Sequence, residues 1–565
     1  MFLLVYRQFC GTFLYISPVF QAESKTDNGK IKNVIVMVPD GCGSAQITMA
    51  RWYKNESLAL DEMLCGMVRT YCANSIITDS APAASAFATG YKTDDGYISV
   101  LPDSTTIPGV QPVSPDLYFK PVATVLEGAK LEGKAVGLVA TSIVQHATPA
   151  AYSAHLEDRR NYNVLAEQQV YLGMDVVFGG GRNYLLPTAE GGLRTDGENL
   201  VTVLQSKGYQ VIGGRDELLN IDSDTVRKVW GLFAGDAMAH DFDRILSAHQ
   251  NEPSLAEMTS KAIEILSENK NGFFLFVEGS QVDQSDHSND PVGVISDFLA
   301  FDDAVQVALD FAKCKGHTLV LAFPDHNTGG MTIGFKGTDV NYPMTPYSAL
   351  IAPLASANLT GIGIGEVFPF NASAEIVREI LKKDYGINVT DAEVAKIQAA
   401  KPAFNITKPW TNTMDKVVGP MISTRSVIGW TTIGHNGEDL PFYAYGPTRP
   451  TGLIENTYIA TICAKNLNFN LAKVENRLFV EAAQAFSAIG ATVTMDMSDP
   501  ANWVLVVMKN GQELARLPLS KNVITIGTNT YDMEGRTIYA PMTGKTYVPQ
   551  QAVTLVGRIC WNVRK

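Results

Sequence analysis

The chain has 565 residues, of which 46% are hydrophobic and 18% charged, and it carries a net charge of −13. That length exceeds one ordinary domain, and that composition excludes a disordered chain. The acidic balance argues against a nucleic-acid-binding protein and excludes steering of an anionic substrate by the whole surface, so an anion site must build its own field from a metal or a placed arginine.

Residues 1–22 read as an export signal, with Arg7 as the only charge and an apolar run from about Phe9 to Phe20. Phe20 is larger than the residue expected just before cleavage at Ala22. No later run is long and apolar enough to span a membrane. Asn33–Val38 is a buried strand that ends at Pro39-Asp40-Gly41-Cys42-Gly43. A carboxylate at the C-terminal end of a strand is where open α/β sheets place their chemistry, and it serves equally as a plain turn cap. The β-prone run Ser75–Thr78 stops at Asp79-Ser80, and the small residues Ala81–Gly90 then predict a tightly packed helix with Pro82 in its first turn. Ser80 fits either an N-cap pair or a nucleophile seated where free amides favour an anion.

A turn at Asp94–Gly96 and an irregular connection over 102–121 lead to a predicted helix, Val122–Leu131. The strand Ala135–Ala140 delivers His146 and Thr148, and Arg159-Arg160 follow. Asp175–Phe178 is a strand ending in Gly179-Gly180-Gly181, a tight turn rather than a phosphate loop because no Lys-Ser/Thr follows. Residues 188–255 read as a polar, helical elaboration. Ser254–Glu268 is an amphipathic helix, and Phe273–Val277 is an apolar strand that ends on Glu278. Asp283 and His287 lie one helical turn apart, so both can face one ion. A helix over Ile295–Ala312 and a strand over Thr318–Ala322 lead to Asp325-His326, and His435 follows a 335–428 insertion with helices near 372–384 and 390–400. Strands alternating with helices over 33–330 predict an α/β fold with a largely parallel sheet.

Beyond about residue 470 the pattern becomes β-rich: a helix over Glu481–Ile489, a hairpin after Val504–Met508 at Asn510-Gly511, and turn-strand units at 535–537 and 544–549. Of seven cysteines, Cys65 and Cys72 are close enough to pair across a turn, and the others show no metal-type spacing. Of eight histidines, His146, His287, His326 and His435 fall in loops that also carry carboxylates, whereas His155, His240, His249 and His317 look ordinary. Imidazoles mixed with carboxylates suit zinc, and carboxylates with a hydroxyl suit magnesium.

The motifs Val-Pro-Asp40-Gly, Thr-Asp-Ser80-Ala, Gln-His146-Ala-Thr148-Pro with Arg159 beyond it, Phe-Gly-Gly-Gly-Arg182, Val-Glu278-Gly-Ser-Gln-Val-Asp283 with His287, Asp325-His326-x-Thr-Gly-Gly, and Gly-His435-x-Gly-Glu-Asp stand in one order. Together they resemble the alkaline phosphatases over residues 31–465. The resemblance implies a three-layer fold, a central mostly parallel sheet between helices, within a domain spanning 25–465. It implies a phosphomonoester hydrolase working through a phosphoserine at Ser80, with Arg159 gripping phosphate. It further implies one zinc at Asp283, His287 and His435, a second at Asp40, Asp325 and His326, and a magnesium at Asp40, Thr148 and Glu278, with His146 in its outer surroundings. Asp79 then orients Arg159 or caps the helix. Homodimers are common in the family. Residues 470–565 resemble the amino-terminal-like domain of copper amine oxidases. They predict a small α+β accessory module, without copper, that serves stability or contact with the cell envelope of an exported protein.

Three departures bear on this reading: Cys42, the additional acid Asp286 (facing solvent or lying behind the ligands), and His146, where some relatives carry Asp. The rival readings are a phosphodiesterase or sulfatase of the same superfamily, and an envelope-binding protein with an inactive phosphatase domain. Ala84 stands where a sulfatase needs arginine, which argues against formylglycine chemistry.

Overall fold

The computed structural model describes residues 30–369, 372–400 and 414–562; the expected export signal lies outside them. A ten-stranded sheet organises the chain. Its strands are β1 (Asn33–Pro39), β2 (Leu64–Arg69), β3 (Ala135–Ile143), β4 (Val176–Gly180), β5 (Gln210–Ile212), β6 (Val229–Leu232), β7 (Phe273–Gly279), β8 (Thr318–Ala322), β9 (Leu440–Tyr445) and β10 (Gly452–Glu455). They lie in the order β10-β2-β9-β8-β1-β7-β3-β4-β6-β5. Only β9 runs antiparallel to its neighbours.

Alternation along the central strands builds two cores. Ile35 and Met37 of β1, with Leu275 and Val277 of β7, enter one; Val34, Val36 and Val38, with Phe274 and Phe276, enter the other. Both faces are therefore covered, which makes the three layers expected of a mainly parallel sheet. The adjacent order β8-β1-β7-β3 has a direct consequence. Because these strands are parallel, their C-terminal ends emerge at one edge and bring Asp325, Asp40, Glu278 and the His146–Thr148 turn side by side.

Several expectations need correction. Ser75–Thr78 pairs with no strand; it is a loop in which Ile76 is 71% exposed, and the Thr78 carbonyl serves a histidine instead. Residues 188–255 contribute β5 and β6 to the sheet, strands too short to register within a polar context. The insertion carries the two expected helices, Ala374–Asp384 and Asp391–Ala400, and three more: Tyr347–Leu354, Gly361–Val367 and Asp415–Ser423. Pro353, Pro420 and the run Gly361-Ile-Gly-Ile-Gly365 hide them, since sequence rules treat such residues as breakers. Cys65 and Cys72 are free thiols; their sulfurs lie near the Phe442 carbonyl and Asn74 Oδ1.

The insertion is fastened to the body by a charge sandwich. His249 places Nδ1 3.0 Å from Glu252 Oε1 and Nε2 2.9 Å from Glu366 Oε2, on the insertion. Hydrogen bonds from Glu252 and Glu366 push its pKa up to about 10. A raised folded-state pKa stabilises fully below the unfolded value near 6.5 and is lost as pH rises through about 10. We expect His249→Gln to melt at lower temperature than the wild type at pH 7, by about 2 kcal/mol of stability. The gap should close by about pH 11, and thermal melts across pH check this.

The carboxyl-terminal strands are β11 (Val480–Glu481), β12 (Thr492–Asp496), β13 (Val504–Lys509), β14 (Gln512–Pro518), β15 (Val523–Ile526), β16 (Asn529–Asp532), β17 (Ile538–Ala540) and β18 (Lys545–Val548). They form an antiparallel meander, β12 to β16, and a small sheet, β11-β18-β17. The expected hairpin joins β13 to β14, with Asn510 and Gly511 both at positive φ. The closing helix Gln550–Asn562 was not expected. Among the described residues no helix is long and apolar enough to cross a membrane.

Candidate active site

Ser80 opens the helix α1 (Ser80–Thr89), whose small residues are all buried. Asp79 caps this helix by accepting from the Ala81 amide and also pairs with Arg159 Nη1. Burial alone would raise the Asp79 pKa, but the Arg159 guanidinium outweighs it and holds the carboxyl at about 2. Arg159 Nη2 lies 3.0 Å from His146 Nε2, whereas Arg160 points to solvent and pairs with Asp158. Burial, reinforced by Arg159, pushes His146 down to about 3. The neutral ring accepts from Arg159 at Nε2 and so keeps its proton on Nδ1.

The Ser80 hydroxyl is buried and lies 3.0 Å from His326 Nε2. That nitrogen is also 3.2 Å from Asp325 Oδ2 and 3.5 Å from Asp40 Oδ1. Three sets of side chains have ligand atoms within 4.8 Å of one another: Asp283, His326 and His435; Asp40, Asp325 and His326; Asp40, His146 and Glu278. His326 thus stands between the first two sets, its ring stacked 3.6 Å from that of His435. His287 lies beside the first set, with Nε2 3.3 Å from Asp283 Oδ2 and its ring 5.2 Å from His435. Thr148 Oγ1 faces Asp40 Oδ2 at 3.4 Å, beside the third.

One feature unites the three histidines. His287 Nδ1 donates to the Ile433 carbonyl at 2.6 Å, and His435 Nδ1 donates to the Thr78 carbonyl at 2.9 Å. Thr328 Oγ1 donates to Asp283 Oδ1 at 2.6 Å and so accepts from His326 Nδ1, 3.2 Å away. Each ring therefore commits Nδ1 to a neighbouring oxygen and turns Nε2 toward the carboxylates. That is how imidazoles are prepared to bind a metal. Thr328 went unassigned in the sequence, although it stands in the Asp325-His326-x-Thr motif, because its role depends on contacts with distant residues.

The carboxylates show the complementary deficit. Asp40, Glu278, Asp283 and Asp325 are each at most 3% exposed. Asp40 Oδ1, both Glu278 oxygens and Asp325 Oδ2 are buried without a hydrogen-bond partner. Burial, then repulsion from Asp325, pushes Glu278 up to about 8. Burial likewise raises Asp325 to about 7. So many unmet acceptors in one pocket demand positive charge, and the donor set fits divalent cations. Gly41 permits the crowding: with φ +75, a Cβ there would lie 2.7 Å from Asp283 Oδ1.

Asp286 is not solvent-facing. It is fully buried behind the ligands and accepts from Gln46 Nε2 at 3.3 Å, a donor also held by Asn327 Oδ1 at 2.7 Å. Cys42 is buried as well. Of the histidines read as ordinary, His155 and His240 are buried and bonded to Glu127 and Asp297.

A family model described as alkaline phosphatase matches residues 31–469. Alkaline phosphatase 3 of Bacillus subtilis is 35% identical over 469 residues, covering 80% of this chain and 92% of that protein. The cold-active alkaline phosphatase of Shewanella sp. superposes with a TM-score of 0.64 at 30% identity, covering 77% of this chain and 99% of the other. A histidine-to-aspartate variant of the TAB5 alkaline phosphatase, with Mg bound in its M3 site, superposes with a TM-score of 0.54 at 26% identity, covering 78% and 99%. The chain belongs to the alkaline phosphatase family, a family of phosphomonoester hydrolases.

Proposed function

We propose that this chain hydrolyses phosphate monoesters by transfer of the phosphoryl group to Ser80, with release of inorganic phosphate. Ser80 Oγ gives up its proton and forms a bond to phosphorus as the ester oxygen leaves, and the departing alkoxide takes up a proton. Water then attacks phosphorus from the side opposite the serine oxygen, which leaves and regains a proton from that water, and inorganic phosphate is released. Arg159, oriented by Asp79, presents its planar fork to two phosphate oxygens. In this reading one zinc is held by Asp283, His287 and His435, a second by Asp40, Asp325 and His326, and a magnesium by Asp40, Thr148 and Glu278. Cations held there lower the pKa of a hydroxyl and balance the charge on entering and leaving oxygens. His146 closes the third set with Asp40 and Glu278, and in this reading it stands just outside the magnesium's ligands.

The observation that carries the reading is the trio of Nε2 atoms turned toward buried carboxylates, Asp40 and Asp325 among them with an oxygen unpartnered, beside a buried serine. A cavity of about 840 Å³ borders His146 and His287 and is lined by Tyr162, Phe233 and Lys416 among others, which leaves room for the alcohol portion of a substrate. The apolar residues 1–22 support export. The reading is tested by comparing rates on an aryl monoester, the matching diester and a sulfate ester. We expect the monoester to lead by orders of magnitude, and Arg159→Ser to narrow that lead by roughly a hundredfold because the fork is lost. A diester hydrolysed as fast as the monoester by the wild type contradicts the proposal.

A further inference from the structure

Arg536, in the turn before β17, is 1% exposed, yet its guanidinium is directed out of its own module. Nη1 donates to the carbonyls of Ser153 and Gln168 at 2.6 and 2.8 Å, and Nη2 donates to Glu127 Oε1 at 2.6 Å. Nε has no partner, so the charge and the fork are met only by these three contacts, and they define where the turn can sit. Glu127 belongs to α2 (Val125–Leu131) and binds His155 Nε2 at 3.0 Å through the same oxygen. The side chain of Gln168 in turn holds both the amide and the carbonyl of His155, at 2.8 and 3.0 Å. The ring of Phe479, also beyond the family-matched residues, stands 4.7 Å from that of His155.

Ser153 and His155 occupy the middle of one short segment. At its start are His146 and Thr148, the latter on α3 (Ala147–Ser153), which face Arg159 and Asp40 respectively. At its end is Arg159 itself. We propose that Arg536 is a positioning residue for phosphate binding: the carboxyl-terminal module reaches into the catalytic body and fixes the segment that carries Thr148 and Arg159. The inference rests on the phosphate-gripping role of Arg159. It also distinguishes Arg536 from Lys521, another cation that docks the module. The partners of Lys521, which are Glu198 at 2.9 Å, Glu167 at 3.3 Å and the Tyr171 ring, all lie outside that segment.

The test uses full-length Arg536→Ala, Arg536→Lys, Lys521→Ala and Arg159→Ala. For each, KM and kcat on an aryl phosphate, inhibition by inorganic phosphate and the melting temperature are measured. Arg536→Ala should raise KM and the phosphate inhibition constant together by roughly ten- to a hundredfold, as expected when a gripping group moves by about 1 Å. Added guanidinium ion should return both toward wild type. Arg536→Lys keeps charge in the buried site but loses the fork, and should shift both in the same direction by about threefold or more. Lys521→Ala should lower the melting temperature and leave both constants within about twofold. Unchanged constants in both Arg536 variants, or in the lysine variant where the alanine variant does not fold, overturn the inference if Arg159→Ala raises them. Unchanged constants in Arg159→Ala would instead overturn the role given to Arg159.

Discussion

Ser80→Ala is expected to abolish the covalent phosphoenzyme and lower kcat by roughly a thousandfold or more, the scale on which losing a nucleophile acts. The cause is local and chemical. The hydroxyl is the buried oxygen 3.0 Å from His326 Nε2, at the start of a helix whose other small residues are packed against the core. Alanine removes one oxygen and fits the same space, so the fold and the cation sites persist. Acid quenching followed by mass measurement of the tryptic peptide detects the phosphoserine directly. A phosphorylated peptide from the alanine variant, or near-wild-type turnover, would assign the nucleophile elsewhere. Residual turnover is expected, because Arg159 and the rest of the pocket still bind and orient the ester.

Stripping the protein of metal is expected to remove activity by several hundredfold or more, since cation stabilisation in such sites is worth several kcal/mol and each ~1.4 kcal/mol is tenfold. The melting temperature should fall with it. A ligand present at ~100 times its dissociation constant stabilises the folded state by about 2.7 kcal/mol. The physical basis is the set of buried carboxylates Asp40, Asp325 and Glu278, which carry oxygens without a hydrogen-bond partner. Arg159 is already engaged by Asp79. Elemental analysis before and after chelation, melting curves, and add-back of zinc and magnesium together check this. Protein shown to be metal-free that keeps its full rate and its melting temperature would defeat the assignment.

Much of the site was legible because strand-terminal loops concentrate function and leave short, spaced motifs. Asp40, Glu278 and Asp325 each follow or end an apolar run, and the parallel sheet brings such ends to one edge. The pairing of Asp283 with His287 follows from helical spacing alone. Less legible were elements whose residues contradict their local preferences. The insertion helices with Pro353 and Pro420, and the short strands β5 and β6, exist because tertiary burial outweighs weak propensity. The Ser75–Thr78 run shows the reverse: it is β-prone but folds as a loop, and its Thr78 carbonyl is taken by the His435 ring instead of a ladder.

The sequence by itself determined the α/β class, the order of the motifs, the serine and arginine that meet phosphate in our reading, and the residue types that could hold cations. Types and spacings are local properties, and the chain writes them directly. Only the tertiary structure decided which nitrogen each histidine presents, because that depends on the Ile433 and Thr78 carbonyls and on Thr328, contributed by other segments. It alone turned Asp286 away from solvent. It also showed Arg536 buried against Glu127, Ser153 and Gln168. Such contacts join residues hundreds of positions apart, and no periodicity records them, because they arise only when separate elements pack and every buried polar group must find its partner.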